Sequence, residues 1–228
     1  MTRLLALLPM KGHSERVPNK NLREFNGRPL CHWMLNTLNA VPVIDEVVVD
    51  TDSAEIAEVS RRFDATVLKR PEELRGDHVS MNRIIRHDVE NTEGERYLQT
   101  HCTNPLLRPE TISEAVEAFE ERDCDSLFSV TPLRTRLWDE DCTPINHERD
   151  ELKRTQDLDP VYEENSNVYL FTPESLARRE NRIGDDPTVF AVDATEAVDI
   201  DEMIDFEIAE TLHRDRYGEE PSLEVVVE

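Results

Sequence analysis

Short apolar runs alternate with amphipathic segments along most of the chain. "LLALL" (4–8), "DEVVVD" (45–50) and "SLFSV" (126–130) are apolar stretches typical of strands that are covered on both faces. The segments between them repeat apolar residues at helical spacing. The pattern therefore predicts an α/β fold, a doubly wound sheet whose strands are mostly parallel and are joined by crossover helices.

The predicted elements follow one another with short connections. Strands are predicted at 3–9, 45–50, 65–68, 96–100, 125–131, 166–171 and 188–193. Helices are predicted at 29–39, 53–62, 80–91, 109–121, 173–180 and 201–214. The tail at 221–228 is predicted to be either a last edge strand or disordered. A single domain over residues 1–228 accommodates all of these elements.

Residues 132–165 interrupt the alternation. This segment is rich in Pro, Asp and Arg and has no clear hydrophobic period. Its composition predicts an inserted arm, or a hairpin that lies over a site.

Charge narrows the classes of partner. The 228 residues contain 50 Asp and Glu against 26 Lys and Arg, for a formal net charge of −24. Nucleic acids and anionic membranes would be repelled, so neither is an expected partner. The acidic residues are spread over the whole chain, which is typical of a protein from a halophile, because concentrated salt screens dense surface charge.

Cysteine usage and hydropathy indicate the compartment. The four cysteines, Cys31, Cys102, Cys124 and Cys142, fit neither a CxxC pair nor a zinc site. Free thiols in a reducing compartment are therefore expected. Since no run reaches transmembrane length and no signal peptide is recognisable, the prediction is a soluble, cytoplasmic protein.

The loop after the first predicted strand gathers positive charge against this acidic background. Three cations fall within ten residues, namely Lys11, Arg16 and Lys20. Gly12 and Ser14 suit tight turns with exposed backbone N–H groups. Cations and N–H groups at the end of a buried strand are what triphosphate binding requires, although the Walker A pattern is absent. The alternative is an ordinary solvated loop.

Two carboxylates near the C-terminus are candidates for a metal site. In "VDIDEMIDF", Asp199 and Asp201 flank Ile200 in an extended segment before a helix, so both should point to one side while Ile200 points inward. Hard oxygen ligands of this kind suit Mg²⁺. Asp205 is expected to interact with the helix N-terminus. Asp52 is a weaker candidate, because Ser53 after it is predicted to cap a helix.

Five segments, in order, resemble the CMP-sugar synthetases, the family of acylneuraminate cytidylyltransferases and their 3-deoxy-manno-octulosonate relatives. "PMKGHSERVPNKNLREFNGRPL" resembles their N-terminal signature. The other four are "VVVDTDSAEIAEVSRRFDATVLKRPEELRGDHVS", "HCTNPLLRPETISEAVEAF", "LKRTQDLDPVYEENSNVYLF" and "AVDIDEMIDFEIAE". Lys11 stands where the family usually has Arg, Glu15 where sialic-acid members tend to have Lys, and His101 where Gln is usual.

The resemblance implies a Rossmann-like nucleotidyltransferase that transfers CMP from CTP to a 2-keto-3-deoxy, nonulosonic or sialic-type sugar acid and releases pyrophosphate. It also implies that residues 132–165 are a dimerisation arm, so a homodimer is expected. Asp199 and Asp201 would hold the metal, and Lys11, Arg16 and Lys20 would stabilise charge on the leaving group; these five residues are the implied catalytic set.

The resemblance also implies binding residues. Those for the nucleotide are Lys11, Gly12, Ser14, Arg16, Lys20, Asn21, Arg70 and Ser80. Those for the sugar acid are His101, Arg154 and Gln156. Ser80 has the alternative of simply capping a helix, and His101 of being a satisfied loop residue; as a histidine it also introduces a group that could titrate.

Two other classes of protein remain open from the residues. A GT-A-like glycosyltransferase or other sugar nucleotidyltransferase shares the architecture and a D-x-D metal site, but a glycosyltransferase would carry D-x-D in mid-chain and lacks the "SERVPNKN" loop. A non-catalytic protein would bind nucleotide without turnover. The particular sugar acid and the general base are not identified by the sequence.

Overall fold

The computed structural model describes residues 2–151, 153–219 and 221. Its strands, in chain order, are β1 (Leu4–Leu7), β2 (Glu24–Phe25), β3 (Arg28–Pro29), β4 (Glu46–Thr51), β5 (Thr66–Lys69), β6 (Arg96–Gln99), β7 (Ser126–Leu133), β8 (Val161–Phe171) and β9 (Pro187–Ala191). Its helices are α1 (Leu30–Asn39), α2 (Ala54–Arg61), α3 (Met81–Glu90), α4 (Pro109–Glu121), α5 (Pro173–Arg179) and α6 (Met203–Tyr217).

Seven strands form one sheet in the order β5-β4-β1-β6-β8-β7-β9. The pairs β4–β5, β1–β4, β1–β6 and β7–β9 are parallel, whereas β8 runs antiparallel to both of its neighbours. The mostly parallel α/β prediction is confirmed. The chain leaves β1 toward β4 on one side and later adds β6 on the other, so a topological switch point lies beside β1, where ligands of such sheets bind.

Both faces of the sheet are covered, which explains the unbroken apolar strands. Leu4 and Ala6 of β1 face a core formed with α1 and α4. Leu5 and Leu7 face the other side, where Ile85 of α3 packs. Because successive strand residues point to opposite faces, only an all-apolar strand can serve both layers.

The segment after β7 is less irregular than predicted. β7 continues to Leu133 and β8 begins at Val161, and these two residues are paired across an antiparallel ladder. The irregular arm is therefore confined to 134–160. Its backbone is held by local bonds, such as those from the N–H groups of Asp141 and Thr143 to Asp139 Oδ1 (3.0 and 2.7 Å). Strand pairing extended a stretch whose own sequence lacks a strand pattern.

A third apolar cluster joins the two ends of the chain. Val17 and Phe25, from the region after β1, pack with Ile200 and with Phe206 of α6. Asp205 accepts a hydrogen bond from the Glu202 N–H (2.7 Å) at the start of α6, so its predicted capping role is confirmed. This cluster places Asp199 and Asp201 beside the loop of residues 11–20, called the cationic loop below.

All four cysteines are free thiols, as predicted. Among the residues with described positions, no helix combines the length and the apolarity needed to cross a membrane. The predicted tail beyond Pro221, residues 222–228, lies outside the described residues.

Candidate functional site

A cavity of about 520 Å³ opens where the sheet topology predicts it, at the carboxyl ends of β1, β5 and β6. It is bounded by the loop after β1, the loop before α3, the residues after β6 and Asp201. Eight of the residues singled out from the sequence line it: Lys11, Ser14, Arg16, Lys20, Asn21, Arg70, His101 and Asp201. Residues from distant parts of the sequence thus form one polar site.

The cationic loop is closed by Asn21. Its side-chain amide donates to the Lys11 carbonyl (2.8 Å), and its Oδ1 lies 2.8 Å from Cys102 Sγ. Asn21 therefore borders the cavity while also joining both ends of the loop to the segment after β6. A polar residue of this kind organises the loop before any ligand binds.

Gly12 is held against the start of α2. Its N–H donates to Asp52 Oδ1 (2.7 Å), and a Cβ on Gly12 would come within 2.9 Å of Ser53 Cβ. Ser53 caps α2 by accepting from the Ile56 N–H (3.3 Å), as predicted. The structural role predicted for Asp52 agrees with these contacts. The Gly12 N–H is committed to this carboxylate instead of facing the cavity.

Arg16 and Lys20 meet Asp201. Arg16 Nη2 lies 2.6 Å from Asp201 Oδ1, and Lys20 Nζ lies 3.8 Å from the same oxygen. Lys20 is largely buried and also donates to the Ile200 carbonyl, whereas about half of the Arg16 and Asp201 side chains remains exposed. Asp201 raises the pKa of Arg16, so this guanidinium stays charged. The exposed pair can exchange partners at little cost.

Lys11 completes the positive side of the cavity. Its ammonium pairs with Asp77 from the loop before α3, and both side chains are partly exposed. Ser14 and Glu15 line the cavity next to it. Lys11 therefore reaches across the opening from one wall to the other.

Asp199 and Ile200 have the alternating arrangement predicted for this segment. Ile200 is fully buried in the third cluster, and its N–H donates to the Thr103 carbonyl (2.9 Å). Burial raises the pKa of Asp199, against a hydrogen bond with Thr103, and neighbouring Asp201 raises it further. Asp199 Oδ1 is buried and has no hydrogen-bond partner among the described residues. A carboxylate oxygen without a partner, next to Asp201, fits the hard donor set of Mg²⁺.

A second charge cluster lies around Arg70, and the sequence analysis did not identify its other members. Arg70 is buried, and its Nε donates to Asp50 Oδ1 at the end of β4. Asp88 of α3 lies beside Asp50, and His87 is close to both. Burial raises the pKa of Asp88, and the neighbouring Asp50 carboxylate raises it further, so Asp88 keeps a proton while Asp50 pairs with Arg70.

His101 lines the cavity just after β6, with its Nε2 2.9 Å from Gln99 Nε2. Burial, together with the smaller effects of the charges of Arg182 and Lys20, lowers the pKa of His101 to about 3. The lowered pKa keeps the imidazole neutral, so titration in the physiological range is not expected at this position. Desolvation, which the sequence does not reveal, is the reason.

Five predicted residues do not line the cavity: Gly12 and Asp199, described above, and Ser80, Arg154 and Gln156. Ser80 is the residue before α3, yet its side chain makes no capping bond, and it does not line the cavity although Val79 and Met81 do. Arg154 and Gln156 are on the arm, outside the cavity of the same chain. Arg154 there forms two hydrogen bonds to Asp157 (2.7 and 3.0 Å).

Known proteins with similar sequences match nearly the whole chain. The family model described as "Cytidylyltransferase" matches residues 5–220. The chain is 26% identical to a pseudaminic acid cytidylyltransferase of Campylobacter jejuni over 92% of its own length and 96% of the relative's. It is 29% identical to a CMP-N,N'-diacetyllegionaminic acid synthase of Legionella pneumophila, with the same coverage of each chain.

The fold is similar to that of a solved nucleotidyltransferase. A CMP:2-keto-3-deoxy-manno-octonic acid synthetase, determined in complex with CTP, superposes with a TM-score of 0.72 at 13% identity. The match covers 94% of this chain and all of that one. The overall fold of this chain is therefore similar to that of a synthetase whose structure contains CTP.

Proposed function

Since the chain belongs to the cytidylyltransferase family, we propose that it transfers CMP from CTP to a 2-keto-3-deoxy sugar acid of the nonulosonic class and releases pyrophosphate. The single observation that carries this proposal is the cavity at the switch point, where Arg16 and Lys20 lie beside Asp201 and Lys11 lines the same cavity. The names of the pseudaminic and legionaminic acid relatives support the class of acceptor.

The cationic loop would bind the triphosphate. Lys11 and Arg16 are now paired with Asp77 and Asp201, in contacts that are partly exposed to solvent. Such pairs contribute about 0–1 kcal/mol each, so phosphate oxygens can replace the carboxylates. Lys20 is less exposed and is fixed by the Ile200 carbonyl. Its ammonium would place a positive charge next to the pyrophosphate, in a fixed position.

Asp199 and Asp201 would hold Mg²⁺, through the unpartnered oxygen of Asp199 and the exposed carboxylate of Asp201. When bound, the ion would neutralise phosphate charge and orient the triphosphate. Arg16 would then leave Asp201 and contact the nucleotide.

In this reaction the protein would mainly position the two substrates and stabilise charge. The anomeric 2-hydroxyl of the sugar acid would attack the α-phosphorus of CTP, and the bond between that phosphorus and the bridging oxygen of pyrophosphate would break. Arg16 and Lys20 would stabilise the negative charge that develops on the leaving group. The proton of the attacking hydroxyl would pass to an aspartate at the site or to water.

The arm supports a homodimer as part of the proposal. Trp138, Ile145 and Tyr162 expose much of their apolar surface on the arm or at its base. A second copy that covers this surface could bring Arg154 and Gln156 to the neighbouring site, where they would bind the sugar acid's carboxylate and hydroxyls. A cytoplasmic location at high salt fits the free thiols and the net charge of −24.

Pyrophosphate release tests the function. The protein would be incubated at high salt with CTP, Mg²⁺ and, in turn, sialic, legionaminic, pseudaminic and octulosonic acids. We expect release with at least one acid, dependent on that acid. CTP binding without release for any of them would indicate a non-catalytic protein, and activity only with a nucleotide sugar as donor would indicate a glycosyltransferase.

Asp201→Ala tests the metal ligand. Loss of a carboxylate that positions both ion and cations should lower turnover by about a hundredfold or more, with an unchanged unfolding midpoint because Asp201 is half exposed. The matched control is Asp123→Ala, at an exposed site after α4. Equal turnover in both variants would exclude the role of Asp201.

A further inference from the structure

A chain of polar contacts leads from the arm side of the sheet to His101. We infer that Gln99 and Arg182 hold His101 as the neutral tautomer that is protonated at Nδ1. The Nδ1–H group of His101 then donates a hydrogen bond to an oxygen of the sugar acid. The second half rests on the proposed function; the first half does not. Gln99 and Arg182 are positioning residues in this scheme, and His101 is the group that touches substrate.

The orientation of the Gln99 amide is set by Arg182. Arg182 Nη1 donates to Gln99 Oε1, and a guanidinium has only donors, so the oxygen of the amide must face it. Gln99 is fully buried, which leaves its NH₂ group on the opposite side. That group lies 2.9 Å from the Thr100 carbonyl and 2.9 Å from His101 Nε2.

The tautomer of His101 follows from this orientation. The Gln99 NH₂ group has two hydrogens, and its two neighbours are the Thr100 carbonyl oxygen and His101 Nε2. Nε2 must therefore accept. A neutral imidazole that accepts at one nitrogen carries its proton on the other, so Nδ1 is a donor. No described residue hydrogen-bonds to Nδ1, and the imidazole borders the cavity.

Arg182 is itself held in place. Its guanidinium carbon lies 3.7 Å from the centre of the Tyr169 ring, a cation–π contact. The Tyr169 hydroxyl in turn bonds to Glu164, and both residues belong to β8, near the point where the arm leaves the sheet. Arg182 also adds the positive charge that, together with burial, keeps His101 neutral. Because a guanidinium can only donate, the hydrogen bonds from Arg182 to Gln99 and from Gln99 to His101 run in one direction. Nδ1 therefore remains the protonated nitrogen of His101.

The position of His101 favours the sugar acid over the nucleoside. Apolar side chains, including Met81 and Ile84, line the α3 end of the cavity and suit a flat base. His101 and Thr103 lie after β6, at the end nearer Asp199, where Thr103 accepts from the Ile200 N–H. A polyhydroxylated acid offers oxygen acceptors to such a wall.

The tautomer can be read directly in the free protein. Long-range proton–nitrogen correlation spectra of ¹⁵N-labelled protein would give the protonation state of each histidine, with His101 assigned by its absence in His101→Gln. We expect a neutral ring protonated at Nδ1 that does not titrate between pH 5 and 9. A neutral ring protonated at Nε2, or an imidazolium at pH 7, would overturn the inference whatever the protein's activity.

Gln99→Glu tests the positioning role with nearly the same shape. The new carboxylate only accepts, so His101 Nε2 should gain a proton and the pKa of His101 should rise. The matched control is Asn91→Asp, since the Asn91 amide lies 3.2 Å from His87 Nδ1. It should alter the His87 signals and leave those of His101 unchanged. An unaltered His101 in folded Gln99→Glu would contradict the relay.

Kinetics test the substrate contact. His101→Leu should raise the KM for the sugar acid about tenfold to a hundredfold, because a hydrogen bond from a buried donor is lost. The KM for CTP should change less than about threefold on the same reasoning. His101→Gln, which retains a donor, should restore most of the affinity. A larger rise in the KM for CTP would place the acceptor on the nucleotide, and inactivity of the wild type with every acid would count against the proposed function alone.

Discussion

Two ion-pair clusters border the same cavity and differ in exposure. Arg70, Asp50 and Asp88 are buried behind β4, β5 and α3. Arg16, Lys20 and Asp201 meet at the open side, where about half of the Arg16 and Asp201 side chains is in contact with solvent. Arginine–aspartate pairs therefore occur both in a buried and in a solvent-exposed position near the cavity.

The difference in exposure determines what each cluster can do. In the buried cluster the surplus negative charge is removed by protonation of Asp88, because two carboxylates cannot both ionise without water. In the exposed cluster the charges remain and their contacts are cheap to exchange. The first cluster fixes the wall of the cavity, and the second is free to rearrange around a triphosphate. Three substitutions test this division.

Arg70→Met should have the largest effect, and on stability. It leaves the fully buried Asp50 without its cation, which costs about 3–5 kcal/mol of unfolding free energy. Urea unfolding would measure the loss. Arg62→Met is the matched control, because the Arg62–Glu58 pair is exposed and should contribute less than about 1 kcal/mol. Similar losses in the two variants would remove the distinction between the clusters.

Arg16→Ala should instead affect nucleotide binding. We expect the KM for CTP to rise about tenfold to a hundredfold, since a charge-assisted contact with phosphate is lost. The unfolding free energy should change by less than about 1 kcal/mol. The increase in KM should shrink as salt is added. Arg178→Ala, an exposed arginine paired with Asp185 outside the cavity, is the control. A loss of stability with normal CTP affinity would reverse the assignment.

Asp88→Asn should have the most specific effect, a change in the pH dependence of stability. The folded-state pKa of Asp88 is raised, so the folded protein keeps a proton that the unfolded chain loses above about pH 4. Stability from this group therefore falls as pH rises from that value toward the folded-state pKa, by at most about 1.4 kcal/mol per pH unit.

The asparagine variant has no such proton, so its unfolding free energy should fall less steeply between pH 5 and 8. Denaturant titrations at several pH values would show the difference. Exposed Asp123, changed to Asn, should leave the wild-type slope unaltered. An identical slope in Asp88→Asn would mean that Asp88 is ionised in the folded protein.

Local features of the site were predictable from the sequence. The "LLALL" run predicted a strand buried on both faces, and the cations after it predicted a polar loop at the strand's end. Ser53 and Asp205 occupy the capping positions expected of them. Ile200 points inward between its two aspartates. Each of these depends on neighbouring residues and on the periods of strand and helix, which a sequence displays directly.

Long-range contacts accounted for the errors and omissions. The extension of β7 and β8 into the predicted arm depends on pairing between residues almost thirty positions apart. The commitment of the Gly12 N–H to Asp52 depends on the approach of a loop to α2. Arg154 and Gln156 lie outside the cavity of their own chain because they belong to the arm, which contributes no residue to its lining. None of these contacts between distant residues can be recognised from the neighbouring sequence.

The amino-acid pattern was sufficient to predict the strands of the main sheet, the helices, the family and the types of residue that meet at the switch point, but not the short β2–β3 pair. The protonation states of these residues and the strength of their ion pairs depend on the tertiary structure. Whether His101 is neutral, whether Asp88 keeps its proton and whether Arg16 is free to change partner all depend on how much water each group retains. Desolvation and the charges of distant neighbours set these states, and both exist only once the chain has folded.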